Sequence, residues 1–195
     1  MHATAVRTMI ATDQAAAINT IVLAFASDPV ARWVWPDPQR YAATMGPFTR
    51  AFGGVAFHHK SAYCSDDYAG VALWLPPGAH SDEDAVAELI EQTVDAAMRD
   101  DVYEMMEQMG GSHPREPHWY LPLVGVDPSQ QGRGYGSALL RHALRVCDRE
   151  HRAAYLESTN ARNLPLYQRF GFEVTRMIRV GASSPAVWPM IRRAR

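Results

Sequence analysis

With 195 residues, 47% hydrophobic and 21% charged, the chain can bury a substantial core and lacks the composition of a disordered one. A net charge of −2 argues against the broad basic face of general nucleic-acid binding, and no apolar run approaches the roughly 20 residues of a membrane span. Two cysteines, Cys64 and Cys147, make no disulfide framework, and the N-terminus carries no charged-then-apolar leader, so one cytoplasmic domain over residues 1–195 is expected.

Ala5 to Met9 reads as a short first strand. Thr12 is placed to cap a helix with the apolar stripe Ile18, Ile21, Val22 and Phe25, stopped by Ser27-Asp28-Pro29. Val30 to Pro38 holds Trp33 and Trp35 between prolines and reads as a loop. Pro38 suits the first turn of a second helix, with Tyr41, Met45, Phe48 and Phe52 on one face and Gly53-Gly54 at its end. Strands follow at Ser61 to Cys64 and Ala69 to Leu75, joined by a turn at Asp66-Asp67 and closed by Pro76-Pro77-Gly78. Ser81-Asp-Glu-Asp sets acids on the positive end of the next helix. Its stripe runs from Val86 through Met98 to Met109, as one helix or as two broken near Asp100-Asp101, with the methionines as core or pocket wall.

After a loop from His113 to Pro117, Trp119 to Val126 is an apolar run of strand length, ended by Asp127-Pro128. Gly132, Gly134 and Gly136 come next, and then a helix carrying Ala138, Leu139, Leu140, Ala143, Leu144 and Cys147 to about His151. Strand, glycine turn and helix N-terminus in this order aim backbone N–H groups at an anion, with Arg133 adding charge. From the glycines alone, a phosphate cradle and a plain mobile turn are equally good readings. The P-loop pattern is missing, and the dinucleotide fingerprint is met only as Gly132-x-Gly134-x-x-Ser137, late in the chain. A strand at Ala153 to Glu157, a helix from Asn160 to Phe170 capped by Gly171, and strands at Phe172 to Val180 and Val187 to Ile191 complete the order. Arg192, Arg193 and Arg195 read as a solvated tail.

Gln131-x-x-Gly134-x-Gly136 after a strand ending Val-Gly-Val resembles the acyl-CoA signature of the GNAT superfamily of N-acetyltransferases. A second block, Tyr155 to Phe172 with Asn160, Asn163, Tyr167 and a closing Gly171-Phe172, resembles the family's strand, loop and helix at the family's spacing. Ala24-Phe25-Ala-Ser-Asp28-Pro29, Val71-Ala-Leu-Trp74, Arg115-Glu-Pro117-His-Trp119 and Arg162-Asn163-Leu-Pro-Leu-Tyr167 are similar in pattern to the puromycin N-acetyltransferase branch. The likeness is weakest from Ile90 to Gly111, so the acceptor is not inherited with the fold. The resemblance implies an α/β domain of the α+β type, a mixed and mostly antiparallel sheet of about seven strands flanked by helices, with splayed parallel central strands.

It further implies acetyl-CoA as co-substrate, a primary amine of a small molecule as acceptor, and direct transfer in a ternary complex. Gln131, Gly132, Arg133, Gly134, Tyr135, Gly136 and Ser137 would hold the pyrophosphate, and Val124, Gly125 and Val126 the pantetheine amides. Asn160 and Asn163 would reach the pantetheine from the other side, although Asn160 also reads as a plain helix cap. Tyr167 would donate to the departing thiolate, as a phenol near pKa ~10 can to a thiol near ~8.5. Many relatives place a basic Glu where this chain has Tyr120, so the base is open among Glu157, Glu116, His118 and water. Trp33, Trp35, Tyr41, Trp74 and Tyr120 are candidate pocket aromatics. Cys147 in an apolar stripe reads as core, and Cys147 with His151 has no second pair to complete a metal site, so none is expected. No nucleic-acid or membrane partner is expected, homodimerisation is left open, and a non-catalytic acyl-CoA-binding module is the alternative function.

Overall fold

The computed structural model describes residues 4–195, apart from the side chain of Asp66. Its strands are β1 (Val6–Thr8), β2 (Ala62–Ser65), β3 (Gly70–Leu75), β4 (His118–Val126), β5 (Ala153–Ser158), β6 (Glu173–Val174) and β7 (Trp188–Arg192). They form one sheet in the order β1-β2-β3-β4-β5-β7-β6. β4 and β5 pair in parallel at the centre and the other five pairings are antiparallel, the mixed seven-strand sheet that the resemblance implies.

Helices cover both faces. α1 (Gln14–Ala24), α3 (Pro38–Gly53) and α4 (Glu83–Thr93) pack on one side, and α6 (Tyr135–Arg149) and α7 (Leu164–Arg169) on the other. β3 therefore reads as an unbroken apolar run, because Val71, Leu73 and Leu75 enter the first core while Ala72 and Trp74 enter the second. α6 contributes Leu139 and Leu140, both fully buried, each stabilising by about 1.5–3 kcal/mol.

Several local expectations are corrected. Pro29–Val34 is a helix, α2, where a loop was expected: the Asp28 carboxylate accepts from the N–H groups of Val30 and Ala31, and Pro29 occupies the first turn. Asp13, not Thr12, organises the entry to α1, accepting from the Ile10 N–H at 2.7 Å. The long helical stripe breaks at Val94, before the expected Asp100-Asp101, through a short 3-10 turn at Ala96–Met98 into α5 (Arg99–Gly110). Beyond β6 only the bridge Ile178 to Val187 continues the expected strand. Arg192 is no tail residue: it is 4% exposed, paired with Asp148 at 2.7 and 3.0 Å, and donates to the Phe170 carbonyl.

One irregularity aims the site. Leu73 pairs with Leu123 but Leu75 pairs with Tyr120, so β4 holds one extra residue around Pro122. Proline has no N–H to give a ladder and is tolerated at such a bulge. The bulge exchanges the faces: Trp119 and Leu121 join the core under α6, whereas Leu123 joins the core under α1 and α3. Tyr120 is thereby turned to the α3 side.

Candidate active site

The parallel ladder between β4 and β5 is short. His118, Trp119 and Tyr120 face Ala153, Ala154 and Tyr155, and no pairing continues beyond them. β4 runs on to Val126 held by β3, while Leu156 to Ser158 turn to β7. Val124 to Val126, paired with β3 on one side, thus have no strand partner on the β5 side, where unpaired backbone groups can bond an extended ligand. Gly125 has a second reason to be glycine. A Cβ on it would stand 2.6 Å from that of Ala24, so α1 lies directly against the strand.

The gap leads to the glycine turn. Asp127 accepts from the N–H and hydroxyl of Ser129 and fixes the exit from β4, and Gln131 donates to the Val126 carbonyl at 3.3 Å. Gly132 and Gly134 adopt φ of +77° and +90°, a region that favours glycine. Nothing lies within 4 Å of a Cβ at either, so the space beside both is clear. Gly134 caps α6 without a side chain, leaving the first-turn N–H groups of Tyr135, Gly136 and Ser137 without an intrahelical acceptor. Arg133 is exposed beside them. These residues fit a diphosphate, since a helix N-terminus and an open run of amides stabilise that charge.

Across the gap, the Asn160 side chain accepts from the Arg162 N–H and caps the 3-10 turn Ala161–Asn163. Asn163 is exposed where α7 begins. Tyr167 is 6% exposed and packs edge-on to Phe172 in the core beneath α6. Burial, and then the charge of Asp28, push its phenol above the ordinary range, so it remains an O–H donor at any working pH. Asp28 accepts from Thr159 at 2.5 Å and ties the N-terminus of α2 to the end of β5.

On the other side of the sheet a cavity of about 660 Å³ opens among α2, α3, α4, α5 and the central strands. Trp33, Trp35, Phe48, Phe52, Met105 and Met106 are among its walls. Tyr120 lines it too, whereas Trp74 is sealed in the opposite core and Tyr41 donates to the Val22 carbonyl. Glu157, two residues past the last parallel pair, faces this cavity with its side chain 3% exposed. Its Oε1 and the Tyr155 hydroxyl make no hydrogen bond of good geometry among the described residues, although the hydroxyls of Tyr120 and Tyr155 both lie close enough to interact with the carboxylate. Burial first, then the Glu157 charge, raise the phenols of Tyr120 and Tyr155 and keep both protonated.

Oε1 of Glu157 lies 3.2 Å from His113 Nε2. His113 Nδ1 is 3.1 Å from His118 Nε2, and His118 Nδ1 is 2.8 Å from the Glu116 carbonyl. Of the open candidates for the base, Glu157 and His118 therefore share one cluster, and Glu116 contributes its backbone to it. His113 was not singled out from sequence, although two histidines bracketing Pro114 and Pro117 were a visible signal. Cys147 is buried in α6, and His151 lies beyond the helix end with Nδ1 on the Arg195 carbonyl, so the two do not form a pair.

Residues 93–172 match the profile of the Acetyltransferase (GNAT) family. An uncharacterised N-acetyltransferase of Schizosaccharomyces pombe is 29% identical over 179 residues, covering 83% of this chain and 71% of that protein. Among solved structures, a Corynebacterium glutamicum protein described as histone acetyltransferase HPA2 and related acetyltransferase superposes with a TM-score of 0.72. It shares 26% identity and covers 100% of this chain and 98% of its own. Arylalkylamine N-acetyltransferase 2 of Aedes aegypti gives a TM-score of 0.68 at 12% identity, covering 98% of this chain and 99% of its own, a likeness of fold alone.

Proposed function

We propose that this chain is a GNAT acetyltransferase, a reading its 93–172 block and its fold support, and that it moves an acetyl group from acetyl-CoA to the primary amine of a small molecule with an apolar body. The observation that carries this reading is the Glu157 carboxylate. It is buried between Tyr120, Tyr155 and His113, its Oε1 makes no aligned hydrogen bond among the described residues, and it faces an apolar cavity beside the point where β4 and β5 part. A buried carboxylate with only uncharged tyrosines and a histidine about it is costly, and an ammonium group entering the cavity would supply an opposite charge.

In this reading the thioester lies in the strand gap, along Val124 to Val126, with the diphosphate on residues 131–137. The acceptor enters from the tryptophan and methionine side. Glu157 takes a proton from the ammonium, the amine attacks the acetyl carbonyl, and as the C–S bond breaks Tyr167 gives its proton to the sulfur and regains one from the attacking nitrogen. Asn160 and Asn163 border the pantetheine path. Transfer is direct, because the Cys147 thiol is buried, and burial pushes it up to about 12. The apolar walls of the cavity, Trp33, Trp35, Phe48, Phe52, Met105 and Met106 among them, support an aromatic or apolar amine. The domain is read as one unit spanning 1–195 and as cytoplasmic.

Thiol release from acetyl-CoA, followed with a panel of arylalkyl, alkyl and polyamines, tests the proposal. Acetylation of apolar primary amines is the expected result. Donor binding without thiol release from any amine would point instead to a non-catalytic acyl-CoA-binding module.

A further inference from the structure

We propose that His113 and His118 form a proton relay that connects Glu157 to solvent and clears the proton it takes from the amine; this rests on the acetyltransferase reading above. The geometry dictates where the hydrogens sit. His118 Nδ1 faces the Glu116 carbonyl at 2.8 Å, and a carbonyl only accepts, so Nδ1 carries a hydrogen. Neutral His118 then has a bare Nε2, which takes the hydrogen on His113 Nδ1, 3.1 Å away. A neutral His113 so arranged turns a second bare nitrogen toward Glu157 Oε1, 3.2 Å away. Two lone pairs at that separation repel, and one proton placed between them converts repulsion into a charge-assisted bond. The chain is therefore arranged to hold one proton more than a carboxylate and two neutral imidazoles carry.

The transfers balance. A proton leaving the ammonium nitrogen binds Glu157 and crosses from Oε1 to His113 Nε2 once that contact straightens. The hydrogen on His113 Nδ1 passes to His118 Nε2, and His118, which is partly exposed, releases its Nδ1 hydrogen to water as it parts from the Glu116 carbonyl; both rings then return to their starting tautomers before the next turnover. No heavy atom is exchanged and each ring ends neutral. Burial holds His118 below the ordinary histidine range, against the raising effect of the Glu116 carbonyl, so it passes a proton on and does not keep it.

The groups around the chain favour this route. Tyr120 from β4 and Tyr155 from β5 stand against His113 at ring separations of 4.6 and 4.3 Å and stay protonated, so neither competes for the proton. Phe52 closes the α3 side against Tyr120. Arg115 and Glu116 lie in the loop before β4, and Ser112 and Arg176 act on Tyr155 from outside.

Two measurements test the relay. In His118→Ala, turnover in dilute buffer falls about tenfold and is restored by added imidazole, while wild-type turnover ignores imidazole and donor KM is unchanged in both. Wild-type turnover and pH profile in both His118→Ala and His113→Asn would overturn it. So would a loss in well-folded protein that imidazole does not restore. The hydrogen-bonded chain is read without turnover by 15N NMR of the imidazoles. His118 should appear as the Nδ1–H form, and Glu157→Gln should move the His113 Nε2 resonance. Independent, unshifted rings would end the proposal even in an active enzyme. An inactive protein with the coupled rings would sink the acetyltransferase reading instead and leave the hydrogen-bonded chain standing.

Discussion

Tyr120 stands opposite Tyr155 as the last parallel pair of the sheet, and past them the two strands separate. The break coincides with Pro122, which withholds an N–H and adds the extra residue that turns Tyr120 to the cavity. The slot proposed for the donor and the cavity proposed for the acceptor thus meet where one strand changes both its partner and its facing.

Glu157→Gln keeps the shape of the side chain and removes its charge. It should lower kcat/KM for the amine about 10²- to 10⁴-fold with donor affinity unchanged, as steady-state kinetics and calorimetry would read. Activity within twofold of wild type would remove Glu157 from the role of base.

Tyr167→Phe should lower kcat about 10²-fold with little change in donor KM. Tyr167 is buried, so a thermal melt must accompany the kinetics. Full turnover in a stable Phe variant would return Tyr167 to the core.

Asp28 supplies a sign that pH can test. Burial raises its carboxyl above the ordinary value, against the lowering hydrogen bonds from Thr159, Ala31 and Val30. A raised carboxyl favours the fold fully below the unfolded pKa of 3.8, and that advantage is lost as pH rises through the folded value. Asp28→Asn keeps the cap on α2 and lets the Thr159 hydroxyl accept where it had donated. It should therefore melt higher than wild type at pH 7, with the difference shrinking toward pH 4. Asp28→Ala loses the cap and should cost about 1 kcal/mol, roughly 2–4 °C in Tm.

Much of this arrangement was legible in the sequence, and for reasons that lie in the backbone. Gly134 and the Val124 to Val126 strand end declare themselves because only a few residue types tolerate a φ of +90° or a turn out of a central strand. α3 was legible because Pro38 begins it and Tyr41, Met45, Phe48 and Phe52 repeat at its period. α2 was not, since Asp28-Pro29 ends one helix and begins the next, and the same two residues read as a stop. Arg192 looked like a tail because its partner Asp148 is 44 residues away in the chain. The meeting of Glu157, His113 and His118 depends on a lost ladder and a bulge, neither of which leaves a periodic trace. Pro122 inside an apolar strand, and the histidines on either side of Pro114 and Pro117, were the available signs.

Cys147 should resist alkylation in the native state. With burial pushing its thiol up to about 12, only about one molecule in 10⁴ carries the thiolate at pH 8. Mass spectrometry after iodoacetamide should find it modified only once the protein is unfolded. An acetyl adduct on Cys147 after incubation with acetyl-CoA would contradict direct transfer.

The central claim is that the backbone from Gln131 to Ser137 grips the diphosphate of acetyl-CoA while its pantetheine lies between the parted strands. A crystal structure with coenzyme A bound tests it most directly. The account predicts phosphate oxygens on the amides of the turn and of the first turn of α6, with the thiol end reaching toward Tyr167 and Glu157. A nucleotide seated elsewhere, with β4 and β5 closed on each other past Tyr120, would contradict it.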